Sequence, residues 1–386
     1  MTFDLTKIVR PKIYNLEPYR CARDDFKDGI LLDANENPHG PTQPGLKASG
    51  LNRYPDPHQI EFKTAMAEFR NGDNHQYKDL PHSLTAENIC LGVGSDESID
   101  AIIRACCIPA KEKILVLPPT YSMYSVCAHI NDVEVVECPL VTSDNSFQAN
   151  TDEVIKTVQN DPSIKLIFIT SPGNPTGAKV ETSRIEKILQ NWDRGMVVVD
   201  EAYIDFCGGS TAPLVTKYPN LCVLQTLSKS FGLAGIRLGL TFASKEMARV
   251  LNSMKAPYNI SSLTSGYALK AVQPDNLKIM RQLADENEKQ QERLVKELTA
   301  LPNVHKEPVG GLDANFILLR VGSGNGDNDL AKKLYYKLAT ESGVVVRYRG
   351  SELGCTGCLR ITVGTKEEND TLVREFTKLL SQLTSN

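Results

Sequence analysis

Between about residues 88 and 245, short apolar runs alternate with longer stretches of mixed polarity. The runs fall at 114–117, 133–136, 166–170, 196–199, 221–224 and 238–242. Between them, 95–107, 121–130, 151–159 and 182–191 repeat apolar residues at helical spacing. Strands apolar at nearly every position, separated by amphipathic helices, predict a mostly parallel sheet covered on both faces, an α/β domain. From about 263 to 301 the chain turns polar and helix-rich. Beyond it lie strand-like runs at 314–319, 344–346 and 359–363, with helices near 330–341 and 366–383. This predicts a smaller α+β domain joined to the first by a long helix. Residues 1–50, rich in turn signals such as NENPHGP, predict an arm packed on the small domain or a neighbouring subunit. The expected division is therefore 1–50 arm, 51–285 large domain and 286–386 small C-terminal domain.

Composition narrows the class. At ~150 residues per domain, 386 residues allow two or three domains. Forty-three basic against 47 acidic residues give a net charge of −4, without the basic excess that favours nucleic acid or anionic membrane. No apolar run approaches the ~20 residues of a transmembrane helix. The opening MTFDLTKIVRPKIYNLEPYRCARDDF lacks a signal-peptide apolar core. It also carries Asp4, Glu17, Asp24 and Asp25, unlike an acid-poor transit peptide. Ten scattered cysteines in so large a chain predict reduced, mostly buried thiols. Cys355 and Cys358 form a CxxC, yet no second pair or nearby histidine completes a zinc site, and no metal is expected. The expectation is a cytoplasmic globular protein with no nucleic-acid or membrane partner.

Four segments carry candidate chemistry. Lys229, in Thr226-Leu227-Ser228-Lys229-Ser230-Phe231-Gly232, follows an apolar strand and precedes a glycine turn. Sites in open α/β sheets lie beyond the carboxyl ends of strands, so this lysine is either aimed into a crevice or a solvated loop residue. Arg237 stands eight residues on. Asp200 ends the buried run Val197-Val198-Val199, with Tyr203 three residues later. A carboxylate there is costly unless it meets a cation or several donors, though it can also cap the next turn. Ser171-Pro172-Gly173-Asn174-Pro175-Thr176-Gly177 is a rigid turn that presents Asn174 in a set orientation. Leu91-Gly92-Val93-Gly94-Ser95-Asp96-Glu97 runs through glycines into a helix start, either a phosphate cradle or ordinary capping. It is not the dinucleotide fingerprint, since Glu97 occupies the third glycine position.

Together these pieces are far more specific than any one alone. A phosphate cradle, a strand-end Asp, an oriented Asn, a Tyr and a crevice Lys are what pyridoxal 5′-phosphate (PLP) requires. The amine condenses with the aldehyde, and a carboxylate keeps the ring nitrogen protonated. Phenol and amide groups hold the ring oxygen, and Ser with Arg helps with the phosphate.

Over nearly its whole length the sequence resembles the fold-type I, aspartate-aminotransferase-like enzymes and, among them, the histidinol-phosphate aminotransferases. The resemblance rests on Asn15-Leu16-Glu17-Pro18-Tyr19, Asp33-Ala34-Asn35-Glu36-Asn37-Pro38, Arg53-Tyr54-Pro55-Asp56, Gly94–Glu97, Pro119-Thr120-Tyr121, Ser171–Gly177, Asp200–Tyr203, Thr226–Gly232 and Gly357-Cys358-Leu359-Arg360-Ile361-Thr362-Val363-Gly364. It implies a large PLP-binding domain with a mostly parallel central sheet, and a smaller α+β domain. It implies Lys229 as the amine that binds PLP and moves the proton between substrate Cα and cofactor C4′. Asp200 would pair with the ring nitrogen, Asn174 and Tyr203 with the ring oxygen, and Tyr121 would stack on the ring. The phosphate would rest on the backbone of Ser95, Asp96 and Glu97, with Ser228 and Arg237, the two acidic side chains pointing away. Tyr54 would reach the phosphate in a neighbouring subunit, which implies a homodimer.

The resemblance further implies transamination of L-histidinol phosphate with 2-oxoglutarate, giving imidazole-acetol phosphate and L-glutamate, a step of histidine biosynthesis. Arg360, Arg347, Tyr19 and Asn174 would bind substrate, since a guanidinium fork suits both phosphate and carboxylate. An aromatic amino-acid aminotransferase or a threonine-phosphate decarboxylase would use the same lysine and aspartate. A non-catalytic PLP-binding regulator would normally add a DNA-binding domain, for which no spare segment or basic patch exists.

Overall fold

The computed structural model of the chain describes residues 3–26, 28–77 and 79–385. Seven strands form its larger sheet: β1 (Ile89–Val93), β2 (Lys113–Val116), β3 (Glu134–Glu137), β4 (Ile164–Thr170), β5 (Met196–Asp200), β6 (Leu221–Thr226) and β7 (Leu238–Ala243). Their order is β1-β7-β6-β5-β4-β2-β3. β2 through β6 pair in parallel, whereas β7 runs antiparallel to both its neighbours. Every residue of β5, β6 and β7 is buried. The apolar runs are unbroken because the sheet has a core on each side. Val197 and Val199 belong to one core, and Met196 and Val198 to the other, as the two-residue period of a strand requires.

Helices Gly94–Cys106, Met123–Ile130 and Lys245–Met254 cover one face, with Ile99, Ile102, Ile103, Tyr124 and Met247 fully buried. Helices Ile60–Asn71, Thr151–Asn160 and Thr182–Asn191 cover the other. The first residues join the former layer. Leu5, Ile8 and Val9 are buried in it, and the Arg10 amide donates to the Ala105 carbonyl at 2.9 Å. This corrects the expected packing of the arm: residues 5–16 lie on the large sheet's helices, drawn there by that apolar trio.

The polar stretch after residue 260 is two helices, Ser262–Ala271 and Pro274–Thr299. The second has 26 residues, a rod of about 39 Å. The expected boundary at 285/286 falls within it. Near its start Arg281 lies over the Phe69 ring, at 5.8 Å; near its end Leu294 and Leu298 are buried in a separate core. That core lies against β8 (Phe316–Arg320), β9 (Arg347–Tyr348) and β10 (Cys358–Thr362), antiparallel in the order β8-β10-β9. The strand expected at 344–346 begins instead at Arg347. Helix Asn328–Ser342 closes through Gly343 at φ 68°, and the Gly343 and Val344 amides both bond to the Leu338 carbonyl. The chain uses those residues to leave the helix before it can pair with β10.

One glycine fixes how the sheet meets the first helix of its layer. Gly239 of β7 lies under the start of helix Gly94–Cys106, where a Cβ would come within 2.4 Å of Gly94 C and Ser95 N. Both are backbone atoms, so a methyl there displaces the helix start itself. Gly239→Ala is expected to cost roughly 1–3 kcal/mol, the range for overpacking a close-packed contact. Urea unfolding measures it, and an unchanged midpoint would contradict this packing.

Candidate active site

Strands β4, β5 and β6 end side by side at Thr170, Asp200 and Thr226, and all three residues line one cavity of about 290 Å³. The turn after β4 contributes Asn174, the turn after β5 Ala202 and Tyr203, and the turn after β6 Ser228 and Lys229. Ser95 and Asp96 come from the first turn of helix Gly94–Cys106, and Tyr121 from the segment before helix Met123–Ile130. Arg237 stands just before β7; Arg349 and Arg360 come from the small sheet. Parallel strands bring these residues together because every crossover returns the chain to the same edge.

Asp200 is the least usual member. It is 3% exposed, and its carboxylate accepts from the Tyr124 hydroxyl at 2.8 Å and the Ala202 amide at 3.2 Å. Among the described residues no cation pairs with it. Burial pushes its pKa up to about 6, against the lowering pull of the Tyr124 and Ala202 bonds. Its neighbour Glu201 is just as buried but accepts four bonds, from Ser210 Oγ, Thr211 N, Thr211 Oγ1 and Gln225 Nε2, at 2.6–2.8 Å. The fold thus satisfies one buried carboxylate internally and leaves the adjacent one short of a cationic donor.

The cations face the opposite problem. Lys229 Nζ lies 5.6 Å from the Tyr203 ring centre and has no carboxylate partner among the described residues. Burial first, then Arg360 and Arg237, lower its pKa, against the raising effect of Asp200 and Asp96. Arg360 Nη1 donates to Asn174 Oδ1, and its guanidinium lies 5.3 Å from the Phe316 ring centre. It too lacks a carboxylate partner, and burial followed by Arg349 lowers its proton affinity. Arg237 adopts φ 52° and places Nη2 3.8 Å from Asp96 Oδ2. A Cβ on Gly94, itself at φ 74°, would come within 2.6 Å of that Nη2. The bare backbone at Gly94 therefore lets a guanidinium sit beside the free amides of a helix start, a built cradle for an anion.

Ser95, Asp96, Tyr121, Asn174, Asp200, Tyr203, Ser228, Lys229, Arg237 and Arg360, all expected from sequence, meet in this cavity. Asp96 does not point away as expected: Oδ1 accepts from the Tyr121 hydroxyl at 3.1 Å, and Oδ2 faces Arg237. Four expected residues lie outside the lining. Glu97 turns its carboxylate back to the Val93 amide. Arg347 is exposed, opposite Arg360 in the β9–β10 pairing. Tyr54 stacks on Tyr258 at 4.6 Å, and the Tyr19 hydroxyl is 3.3 Å from that of Tyr258. Tyr19 also borders a larger cavity of about 450 Å³ with Lys63 and Lys255. Sequence reasoning missed Thr170, Thr226, Arg349 and Tyr124. Arg349 had a signal, since two residues beyond Arg347 in an extended run returns to the same face. Tyr124 had none.

The family described as aminotransferase class I and II matches residues 27–376. The chain is 70% identical to the histidinol-phosphate aminotransferase of Saccharomyces cerevisiae over 385 residues, 99% of each chain. It is 49% identical to that of Schizosaccharomyces pombe, with 98% of each covered. Among solved structures, the histidinol-phosphate aminotransferase of Sinorhizobium meliloti in complex with pyridoxal-5′-phosphate superposes with a TM-score of 0.75. That match is at 21% identity and covers 91% of this chain and 90% of the other.

A carboxylate whose pKa is raised costs stability only where it is ionised. Asp200 is neutral in both folded and unfolded chains below about pH 4, and the cost accumulates as pH rises through about 6. In protein freed of bound small molecules, Asp200→Asn is expected to be more stable than wild type by up to about 3 kcal/mol at pH 7. The gain should vanish near pH 4. Urea unfolding across that window checks it, and a difference independent of pH would contradict it.

Proposed function

The chain belongs to the class I and II aminotransferases, and on that premise we propose that it transfers the amino group of L-histidinol phosphate to 2-oxoglutarate. The products are imidazole-acetol phosphate and L-glutamate, as in histidine biosynthesis. PLP is the cofactor. One observation carries the reading: a single cavity holds a buried carboxylate with no cation among the described residues, and with it a lysine and an arginine with no carboxylate among them. A ligand with a protonated ring nitrogen, an aldehyde and a phosphate supplies all the missing partners. The rival donors are not favoured, because the 70% identity runs over the full chain to a histidinol-phosphate enzyme.

Bound PLP supplies an aldehyde for the amino group and a ring that draws electrons from the substrate Cα. Asp200 would hold the proton on the ring nitrogen, and its two neutral bonds leave it free to do so. Asn174 and Tyr203 would orient the ring oxygen, while Tyr121 would pack against the ring. The Ser95 and Asp96 amides, with Ser228 and Arg237, would take the phosphate. Lys229 Nζ would remove the proton from the substrate Cα, which needs a neutral amine. Burial and two flanking guanidiniums favour that form. Arg360 would exchange its bond to Asn174 for the anionic group of either substrate.

The proposal includes a cytosolic homodimer. Among the described residues no helix is long and apolar enough to cross a membrane. Ile30 and Leu32 in the arm are 90% and 81% exposed, and Ile60, Leu263 and Tyr267 are also exposed, apolar side chains that a second copy would cover. Tyr54, outside its own chain's cavity, would then reach the phosphate in the neighbour's site.

L-Histidinol phosphate added alone to purified enzyme is expected to bleach the visible absorption of bound PLP, and 2-oxoglutarate to restore it. A spectrum indifferent to this donor would sink the proposal. Lys229→Ala should fold and retain PLP weakly, with turnover reduced at least about a thousandfold, within the range of losing a catalytic base and nucleophile. Steady-state assay measures it, and near-normal turnover would remove Lys229 from the mechanism.

A further inference from the structure

The small sheet presents more positive charge to the cavity than a carboxylate needs. Arg360 of β10 pairs across to Arg347 of β9, and the Arg349 amide continues the ladder to the Cys358 carbonyl at 2.9 Å. Residues 347, 349 and 360 therefore share one face of the sheet, and the Arg349 side chain lines the cavity beside Arg360. Arg349 Nη1 donates to Glu352 Oε1 at 2.9 Å, each side chain about three-quarters buried. The Arg349 Nε is buried with no acceptor. A guanidinium N–H out of water without a partner is expensive, and it is satisfied when an acceptor enters.

The two substrates differ in the charge that such a site meets. L-glutamate spreads its negative charge over two carboxylates, and the single one that meets this site brings one charge, which the Arg360 fork can take alone. A phosphate monoester brings nearly two, with three acceptor oxygens. We propose that Arg349 is a further substrate-binding arginine of this cavity, specific to the phosphate of the amino donor, and that Glu352 is the counter-ion it holds when a carboxylate substrate is bound. The inference rests on the donor reading above. Glu352 prevents two neighbouring guanidiniums from repelling each other when only one charge arrives. Phosphate supplies that second charge itself and offers further acceptor oxygens to the Arg349 guanidinium.

The test uses the PLP-loaded enzyme with Arg349→Gln and Glu352→Gln, each assayed in both half-reactions. For Arg349→Gln, KM for L-histidinol phosphate should rise roughly ten- to hundredfold and KM for L-glutamate by less than about threefold, as for loss of one charge-assisted contact. Inorganic phosphate, titrated as a competitor against L-glutamate, should weaken in parallel. Glu352→Gln should act in the opposite sense, lowering KM for the phosphate donor, and Arg349→Lys should fall between wild type and Arg349→Gln. Equal effects on both substrates, no effect, or a Glu352→Gln variant that mimics Arg349→Gln would each overturn the assignment and leave the pair a structural clasp. If wild type ignores L-histidinol phosphate, the donor reading fails instead; inorganic phosphate affinity in wild type and Arg349→Gln then decides Arg349 separately.

Discussion

A carboxylate kept out of water without a cation of its own is the constraint on which this structure turns. Asp200 ends a strand buried at every residue, and the nearest side-chain help is one tyrosine hydroxyl. That hydroxyl is itself positioned by Thr170 at 2.8 Å, which Thr120 meets at 2.9 Å. The chain of neutral groups holds Asp200 in place without satisfying its charge. Glu201 shows that the fold can satisfy such a group, because the next residue along has a full set of donors. The shortage at Asp200 is therefore local, and it leaves the carboxylate free to bind a cationic ring nitrogen.

Part of the matching positive charge comes from the smaller sheet. Arg349 and Arg360 belong to a three-stranded sheet with its own core, joined to the larger one through the rod Pro274–Thr299. Their guanidiniums meet the large sheet's residues across the cavity, where Asn174 receives Arg360 and Phe316 packs edge-on against Tyr203 at 5.2 Å. The buried carboxylate and these two guanidiniums thus reach one cavity from different sheets. The lysine stands between them. Burial first, and then Arg360 and Arg237 approaching from different elements, lowers its proton affinity.

The sheet was legible because burial on both faces leaves unbroken apolar runs, and β4 to β7 fall where those runs predict. Strand ends were legible for the same reason: the first charge after Val197-Val198-Val199 is the one that lines the cavity. What escaped depended on contacts between distant segments. Nothing near Tyr124 reveals that it meets Asp200, because the pairing is set by helix packing on the sheet. The family resemblance points to Arg347, whereas the tertiary arrangement brings Arg349, on the same face of the sheet, to the cavity wall. The strand at 344–346 failed for a local reason, since the helix exit at Gly343 takes up the apolar residues that looked like a strand. The packing of residues 5–16 also depended on distant contacts, with three apolar side chains finding a helix layer ninety residues on.

The link between Asn174 and Arg360 joins residues 186 positions apart. Translation delivers the carboxylate and the lysine well before the arginines, and units nearer the amino terminus generally fold first. A nascent chain thus passes through a stage with the cavity's lysine in place and its small-sheet arginines still unmade. The small-sheet wall of the cavity is the last part the polypeptide acquires, and a premature stop between Lys229 and Arg349 would remove it while leaving the lysine behind.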